Sequence, residues 1–398
     1  MSPSRPSRKT RASVVQTDDV VVRQQRRGHG RVTLQDVAAL AGVTAITVSR
    51  FLREPGVVAE GTAARIRQAL ASTGYVPNRQ AGHLASGGSR VVAALVPNLA
   101  QSIFAETVQG LSDGLQAAGH ELLLAVTGYS MEREEAQLRA LLGWGPGAIV
   151  VTGRHHSAGA KTLLRQARQA GTPVIEWWDQ HALPGGFTQV GFDHAEVGAA
   201  MAAHLLALGH KHLAYVDSGV VEDVRAHERS AGFAKRVAKA GARLLAVTAP
   251  VGDVFDAGRQ ALHQVRGVPG RKASADVAGA DVASTKVRLA NARRANVHSA
   301  DTPTAIAFAN DQLACGALLE ALQLGLSVPG ELALLGFGDF SIGRQLKPGL
   351  STVRPPRYEI GTQTAQALLQ ALREGQDAPH RPLAWELLPR GSTVASAG

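Results

Sequence analysis

The chain has 398 residues, 45% of them hydrophobic, which is too long for one core and apolar enough to fill two or three. It holds no run of the ~18 apolar residues that a membrane-spanning helix needs. Its Ser-, Pro- and Arg-rich start has no apolar secretion core, and the single Cys315 excludes an internal disulfide and reads as buried packing. A membrane protein and a disulfide-stapled exported protein are thereby set aside, and the expected location is the cytoplasm.

The net charge of +10 is concentrated at one end: residues 1–90 carry 14 Lys and Arg against 5 Asp and Glu, a net of +9, while residues 91–398 carry 28 against 27. Such asymmetry is the usual mark of a polyanion partner, nucleic acid being the commonest, with a solubilising basic tail as the bland alternative.

In chain order, residues 1–30 scatter Ser, Pro, Gln and Arg without a period and read as a disordered basic arm. Thr33-Leu34-Gln35-Asp36 then has a capping hydroxyl with a carboxylate three residues on, and Leu34, Val37, Ala38 and Ala41 repeat at helical spacing. Gly42-Val43 breaks this helix. Thr44 caps a second one that turns Val48, Phe51 and Leu52 inward and stops before Pro55-Gly56; a third runs from about Thr62 to Gly74. Two short helices joined by a tight glycine turn, with a third closing the core, form a helix-turn-helix unit over residues 31–77.

The outer face of the second helix offers Thr44, Ala45, Ile46, Thr47, Ser49 and Arg50, with no acid among them. Hydroxyls suit phosphates, small apolar groups suit thymine methyls, and a guanidinium suits guanine; a merely solvated face is more often Glu and Lys. Residues 78–90 then carry Arg79-Gln80-Ala81-Gly82-His83-Leu84-Ala85-Ser86, too short for a stable isolated helix. Either it is a linker, or it forms only in a minor groove with Leu84 wedged between base steps.

From Val91 the pattern changes to short apolar runs alternating with amphipathic helices. Strands are predicted at Val91–Val96, Glu121–Val126, Ala148–Thr152, Pro173–Trp177, Gln189–Phe192, His212–Asp217, Arg243–Val247, Ala305–Phe308 and Leu332–Phe337. Helices are predicted at Phe104–Ala118, Ser130–Leu142, Ala160–Ala170, Ala195–Leu208 and Asp311–Gln323. Alternation of this kind implies an α/β core of two doubly wound parallel sheets, with a ligand between them at the carboxyl ends of the strands. Residues 268–303, rich in Ala, Gly, Ser, Lys and Arg, interrupt the alternation and read as a surface insertion.

The segment Val32 to Ala38, with Ala41-Gly42-Val43-Thr44, Thr47-Val48-Ser49-Arg50 and Gly74-Tyr75-Val76-Pro77-Asn78-Arg79, closely resembles the lactose-repressor family. The likeness continues through Phe104-Ala105-Glu106, Leu208-Gly209-His210, Ala309-Asn310-Asp311 and Gly336-Phe337-Gly338-Asp339, and only the arm and the insertion fall outside it.

The resemblance implies a homodimer on double-stranded operator DNA, hinge helices at the minor groove, and a two-lobed core like that of periplasmic sugar-binding proteins. The first lobe would span about 91–189 and 357–383, the second about 190–356 and 384–392. It places DNA contacts at Thr33, Thr44, Ala45, Ile46, Thr47, Ser49, Arg50, Asn78, Arg79 and Leu84. Effector contacts would be Phe104, Glu176, Asp179, Arg229, Phe255, Asn310, Asp339 and Arg357. Two arginines, Arg229 and Arg357, facing one cleft would suit an anionic ligand; a surface salt bridge is the alternative for Arg357.

Further likeness, in Gly128-Tyr129, Glu132 to Glu135, Leu141-Leu142-Gly143-Trp144, Val151 to Ser157 and Phe51-Leu52-Arg53, points to the gluconate-operon repressors within that family and so to a sugar acid as effector. A neutral sugar, or a ligand acting as co-repressor, is the alternative. After Leu388 no leucine heptad follows, so a dimer is expected rather than a tetramer.

Other classes lack their signatures. No phosphate loop, dinucleotide fingerprint or nucleophile elbow occurs in a strand-turn-helix context, so no catalytic residue and no cofactor is assigned. His155-His156 and His210-Lys211-His212 have no partners at metal-ligand spacing, so no metal is assigned either. A pure transport protein is disfavoured by the headpiece.

Overall fold

The computed structural model describes residues 32–76, 89–100, 103–181, 185–267 and 302–394. The basic arm, the conditional helix with Asn78, Arg79 and Leu84, and all but the end of the 268–303 insertion lie outside the described residues. The chain divides into two compact units, Met1–Ser86 and Gly87–Gly398.

The small unit has helices α1 (Leu34–Ala41), α2 (Ala45–Arg53) and α3 (Glu60–Thr73). Thr33 closes a complete capping box: its hydroxyl accepts from the Asp36 N–H while Asp36 Oδ2 accepts from the Thr33 N–H at 2.7 Å. Gly42 ends α1 in the left-handed region at φ 64°, where a side chain would be strained, and this makes the tight turn into α2. Val37, Ala38, Ala41, Val48, Phe51, Ala63, Ile66 and Ala69 are its buried core.

The large unit holds two six-stranded sheets. The first contains β1 (Val91–Val96), β2 (Glu121–Val126), β3 (Ala148–Thr152), β4 (Val174–Trp177), β5 (Thr188–Gly191) and β11 (Arg381–Pro382), in spatial order β11-β5-β4-β3-β1-β2 and all parallel. The second contains β6 (His212–Asp217), β7 (Arg243–Thr248), β8 (Ala305–Phe308), β9 (Ala333–Phe337), β10 (Ser351–Arg354) and β12 (Glu386–Leu388), in order β12-β10-β9-β8-β6-β7, with only β12 antiparallel. The central strands are apolar on both faces because helices cover both, as doubly wound parallel sheets require.

Helices α4 (Phe104–Ala117), α5 (Met131–Leu142), α6 (Ala158–Gln169) and α12 (Arg357–Glu374) accompany the first sheet. Helices α7 (His194–Ala207), α8 (Val224–Lys239), α9 (Val254–Arg266) and α10 (Asp311–Gln323), with the short α11 (Ser341–Gln345), accompany the second. The chain passes between the sheets after β5, after β10 and after β11, so each lobe is built from separated segments.

All nine predicted strands and five predicted core helices are present, with ends that coincide or differ by at most two residues. Strands β10 to β12 and helices α8, α9, α11 and α12 had no counterpart in the prediction. In β10, Ser351 and Thr352 are buried hydroxyls, and β11 and β12 are two and three residues long. Pattern reading finds apolar alternation, which such strands lack.

Helices α4 and α12 cross with almost no room: a Cβ on Gly361 would stand 2.1 Å from the Thr107 carbonyl oxygen, and one on Gly110 would stand 2.3 Å from that of Tyr358. Replacing Gly361 by Ala should therefore push the two helices apart and cost ~1–3 kcal/mol, read as a melting temperature several degrees lower. An unchanged melting temperature would show that the crossing yields freely.

Candidate functional site

In the small unit, α2 carries the surface that the sequence singled out. Thr44 caps it, accepting from the Thr47 N–H at 3.3 Å, and the two hydroxyls lie 2.9 Å apart. Val48 and Phe51 turn inward, which leaves Thr44, Ile46 and Arg50 exposed and Ala45, Thr47 and Ser49 partly so; Ile46 is 71% exposed. The helix has no acid in its first turn, so this face presents hydroxyls, small apolar groups and one guanidinium together. Thr33 is exposed, but its hydroxyl is already committed to Asp36.

In the large unit the cleft between the lobes has two compartments that share Tyr129. The larger, about 270 Å³, is lined by Asp223, Arg229, Asn310, Phe337 and Phe340 among others. The smaller, about 30 Å³, is lined by Gly153, Arg154, His155, Asp179 and Arg225 among others.

Arg229 is 5% exposed. Its Nη2 donates to the Ala309 carbonyl at 3.1 Å, and its guanidinium lies over the Phe337 ring, 4.0 Å from the centre. Its Nη1 stands 3.0 Å from His194 Nδ1, while His194 Nε2 is 2.8 Å from the Trp178 carbonyl. A carbonyl only accepts, so Nε2 carries the proton and a bare Nδ1 accepts from Arg229. Burial, and then the charges of Arg229 and Arg225, hold His194 well below its ordinary pKa and therefore neutral. Among the described residues no carboxylate lies within salt-bridge distance of Arg229.

Arg154 is the opposite case, bonded to Asp179 from the first lobe and to Glu228 on α8 from the second, with His155 3.4 Å from Glu228. It ties the lobes together across the small compartment. Arg225 lies over the Phe104 ring at 5.7 Å and 3.8 Å from Asp223, whose side chain caps α8. Tyr129, Trp178 and Asp339 are the non-glycine residues with positive φ among those described, and all three stand at or behind the cleft. Such backbone is strained by ~1 kcal/mol or more each and is kept where the surroundings enforce it.

Of the expected effector residues, Arg229 and Asn310 line the large compartment and Asp179 the small one. Phe104 packs edge-on against Trp178 at 5.2 Å and touches the cleft through Arg225. The other four stand apart. Glu176 is buried inside the first lobe, accepting from Gln189 at 2.8 Å. Phe255, in the first turn of α9, packs against the core of the second lobe. Asp339 pairs with Arg390 at 2.6 Å and Arg354 at 2.7 Å, which outweigh burial and hold its carboxyl low. Arg357 donates to Glu106 and the Gly338 carbonyl, behind Phe340, so the expected pairing of Arg229 with Arg357 in one cleft is corrected: Arg154 and Arg225 are the further arginines there.

Sequence reading missed those two because Arg154 follows β3 in a loop and Arg225 begins an unpredicted helix. Asp311 fixes the cleft from below: it is fully buried, accepts from the Thr352 hydroxyl and from the Phe340 N–H at 2.8 Å, and burial pushes it up to about 7. His156 is buried, 2.6 Å from Glu134 and 3.5 Å from Glu176. Burial opposes its charge, but the two carboxylates prevail and push it up to about 9.

A helix-turn-helix headpiece and a two-lobed core with a charged cleft, in one chain, define the class of ligand-responsive DNA-binding regulators. Residues 33–78 match the family described as bacterial regulatory proteins, lacI family; residues 89–264 match the periplasmic binding proteins and sugar binding domain of that family, and 202–393 a periplasmic binding protein-like domain. The chain is 36% identical to the HTH-type transcriptional regulator GntR of Pseudomonas aeruginosa, over 92% of this chain and 97% of that one. To the regulator of the same name in Escherichia coli it is 31% identical, over 91% and 98%. A LacI-family transcriptional regulator structure from Silicibacter pomeroyi superposes with a TM-score of 0.75 at 28% identity, over 91% and 99% of the two chains. This chain belongs to the LacI family and is a DNA-binding transcriptional regulator, not an enzyme. No helix among the described residues is long and apolar enough to cross a membrane.

His156 supplies a pH test of the first lobe. Its folded pKa lies above the unfolded value of 6.5, so the stability it adds is complete below that value and lost as pH rises through about 9. The pKa gap corresponds to on the order of 3 kcal/mol. Thermal melts should fall over that window, and His156→Leu should be less stable at pH 6 yet lose this dependence. A wild-type melt flat over the window would mean that His156 is neutral.

Proposed function

We propose that this regulator is a homodimeric cytoplasmic repressor that leaves its operator when a small sugar acid such as gluconate enters the cleft between the lobes. The observation that carries the acid is Arg229. A buried guanidinium met by a neutral imidazole, a carbonyl, a ring face and the Tyr215 hydroxyl, with no carboxylate in salt-bridge contact among the described residues, is incompletely compensated, and a ligand carboxylate in the adjacent space would supply what is missing. The volume of about 270 Å³ sits near the small end of small-molecule sites, ~300–1,000 Å³, and suits a ligand of sugar size. Asn310, whose Oδ1 accepts from the Leu313 N–H as the cap of α10, keeps its amide N–H groups for ligand hydroxyls.

On the headpiece, Thr44, Thr47 and Ser49 would meet phosphates, Ala45 and Ile46 thymine methyls, and Arg50 a guanine edge. The edge strands β2 and β7 leave Val126 and Leu245 exposed, a surface that a second copy would cover in the proposed dimer. Release requires that ligand bind the low-affinity arrangement better than the DNA-bound one, a difference of ~1–3 kcal/mol being ordinary.

The test uses the full chain and DNA selected by it from a random pool, in mobility shifts at fixed salt. Gluconate should weaken the complex, and Arg229→Gln should abolish that response while still binding DNA. Neutral sugars acting where every acid fails would overturn the reading. Arg50→Ala should cost ~1–3 kcal/mol and relax preference at one base pair; equal weakening on every sequence would assign Arg50 to phosphate.

A further inference from the structure

The two compartments of the cleft differ in electrostatic character. In the large compartment Arg229 has no carboxylate within salt-bridge distance among the described residues, and Asp223 is the acid on that compartment's lining. The small compartment is lined by Glu134, Asp179 and Glu222 as well as Arg154 and Arg225, and Arg154 is already held by Asp179 and Glu228. Asp179 is 1% exposed and its Oδ2 has no hydrogen-bond partner, although Oδ1 is bonded to Arg154. That Oδ2 lies 3.9 Å from where a Cβ would stand on Gly153, which lines the same space. It is a buried acceptor facing a compartment of about 30 Å³, room for about one or two water-sized groups.

We infer that the small compartment is the specificity end of the cleft: it takes a terminal hydroxyl of an acyclic polyol monocarboxylate, which donates to Asp179 Oδ2, and it excludes a second anionic group. This rests on the proposed role of Arg229 as carboxylate receptor, and adds which acids are accepted. A ligand with an acid at both ends, or with a terminal phosphate, would bring its second charge against Asp179 and Glu228. It could use Arg154 only by displacing one of them, leaving that carboxylate buried and unpaired. A hydroxyl asks for no such exchange, because it donates to the oxygen left over and leaves the bridge between the lobes intact.

Titration calorimetry on the full-length protein separates the two ideas, with gluconate, glucarate, 6-phosphogluconate and glucose as probes. Gluconate should bind at least about tenfold more tightly than glucarate or 6-phosphogluconate. Asp179→Asn keeps the shape and removes one charge, so it should narrow that gap to within about threefold. Glu228→Gln should narrow it in the same direction, and it stands if the buried Asp179 substitution fails to fold. Glucarate binding wild type as tightly as gluconate, or a gap unmoved in a folded variant, overturns the inference while leaving the acid-responsive reading in place. Binding of glucose alone overturns the role of Arg229 instead.

Discussion

A guanidinium with its charge uncompensated has to be held by something, and the way Arg229 is held accounts for much of the cleft. Its α8 position is fixed by the close approach of α7 and α8, where a Cβ on Gly198 would stand 1.9 Å from the Arg229 carbonyl oxygen. Its donors then reach α7 through His194 and the end of β8 through Ala309, and its flat face rests on Phe337 at the end of β9. His194 passes the constraint to Trp178 in the first lobe. One cation thus touches three segments of the second lobe and, through an imidazole kept neutral, the first. A protein gains nothing in stability by burying a charge without an ion pair, and under the proposed function that cost is ligand affinity stored in the fold.

The cleft is stiffened by buried groups in both lobes. Glu134, His156 and Glu176 lock α5, the loop after β3 and strand β4 together, and Asp311 secures the segment after β9 through the Phe340 N–H. Networks of this kind are worth having only when nearly complete, and they hold the lining side chains in one geometry.

The sequence made the headpiece and most of the core legible for different reasons. Thr33, Gly42 and Thr44 are punctuation with local physics, and the apolar runs of β1, β3, β6 and β8 have no other reading. The misses share a cause. Helix α8 reads Val-Arg-Ala-His-Glu-Arg-Ser-Ala-Gly-Phe, polar enough to pass for loop, and its inward face is set by packing against α7. Among the expected effector residues, likeness to the family singled out Arg229 and Asn310, which line the cleft, and equally Glu176, Asp339 and Arg357, which do not. What separates them is partner geometry: the latter three face ions or hydrogen bonds of their own. Residue type does not carry that information; only tertiary placement does.

Half of the eight buried side chains in the headpiece core are alanines: Ala38, Ala41, Ala63 and Ala69. Alanine fills little volume and removes little apolar surface from water, and a three-helix unit of this size has no large aromatic cluster beyond Phe51 to compensate. Its free energy of opening is then small, and amide protons along α1 to α3 should exchange readily in the free protein. Operator binding adds stability by mass action, in proportion to the logarithm of its concentration over the dissociation constant. For this regulator, folding of the reader and occupancy of the site become partly one equilibrium, so conditions that loosen the headpiece act as though they weakened the operator.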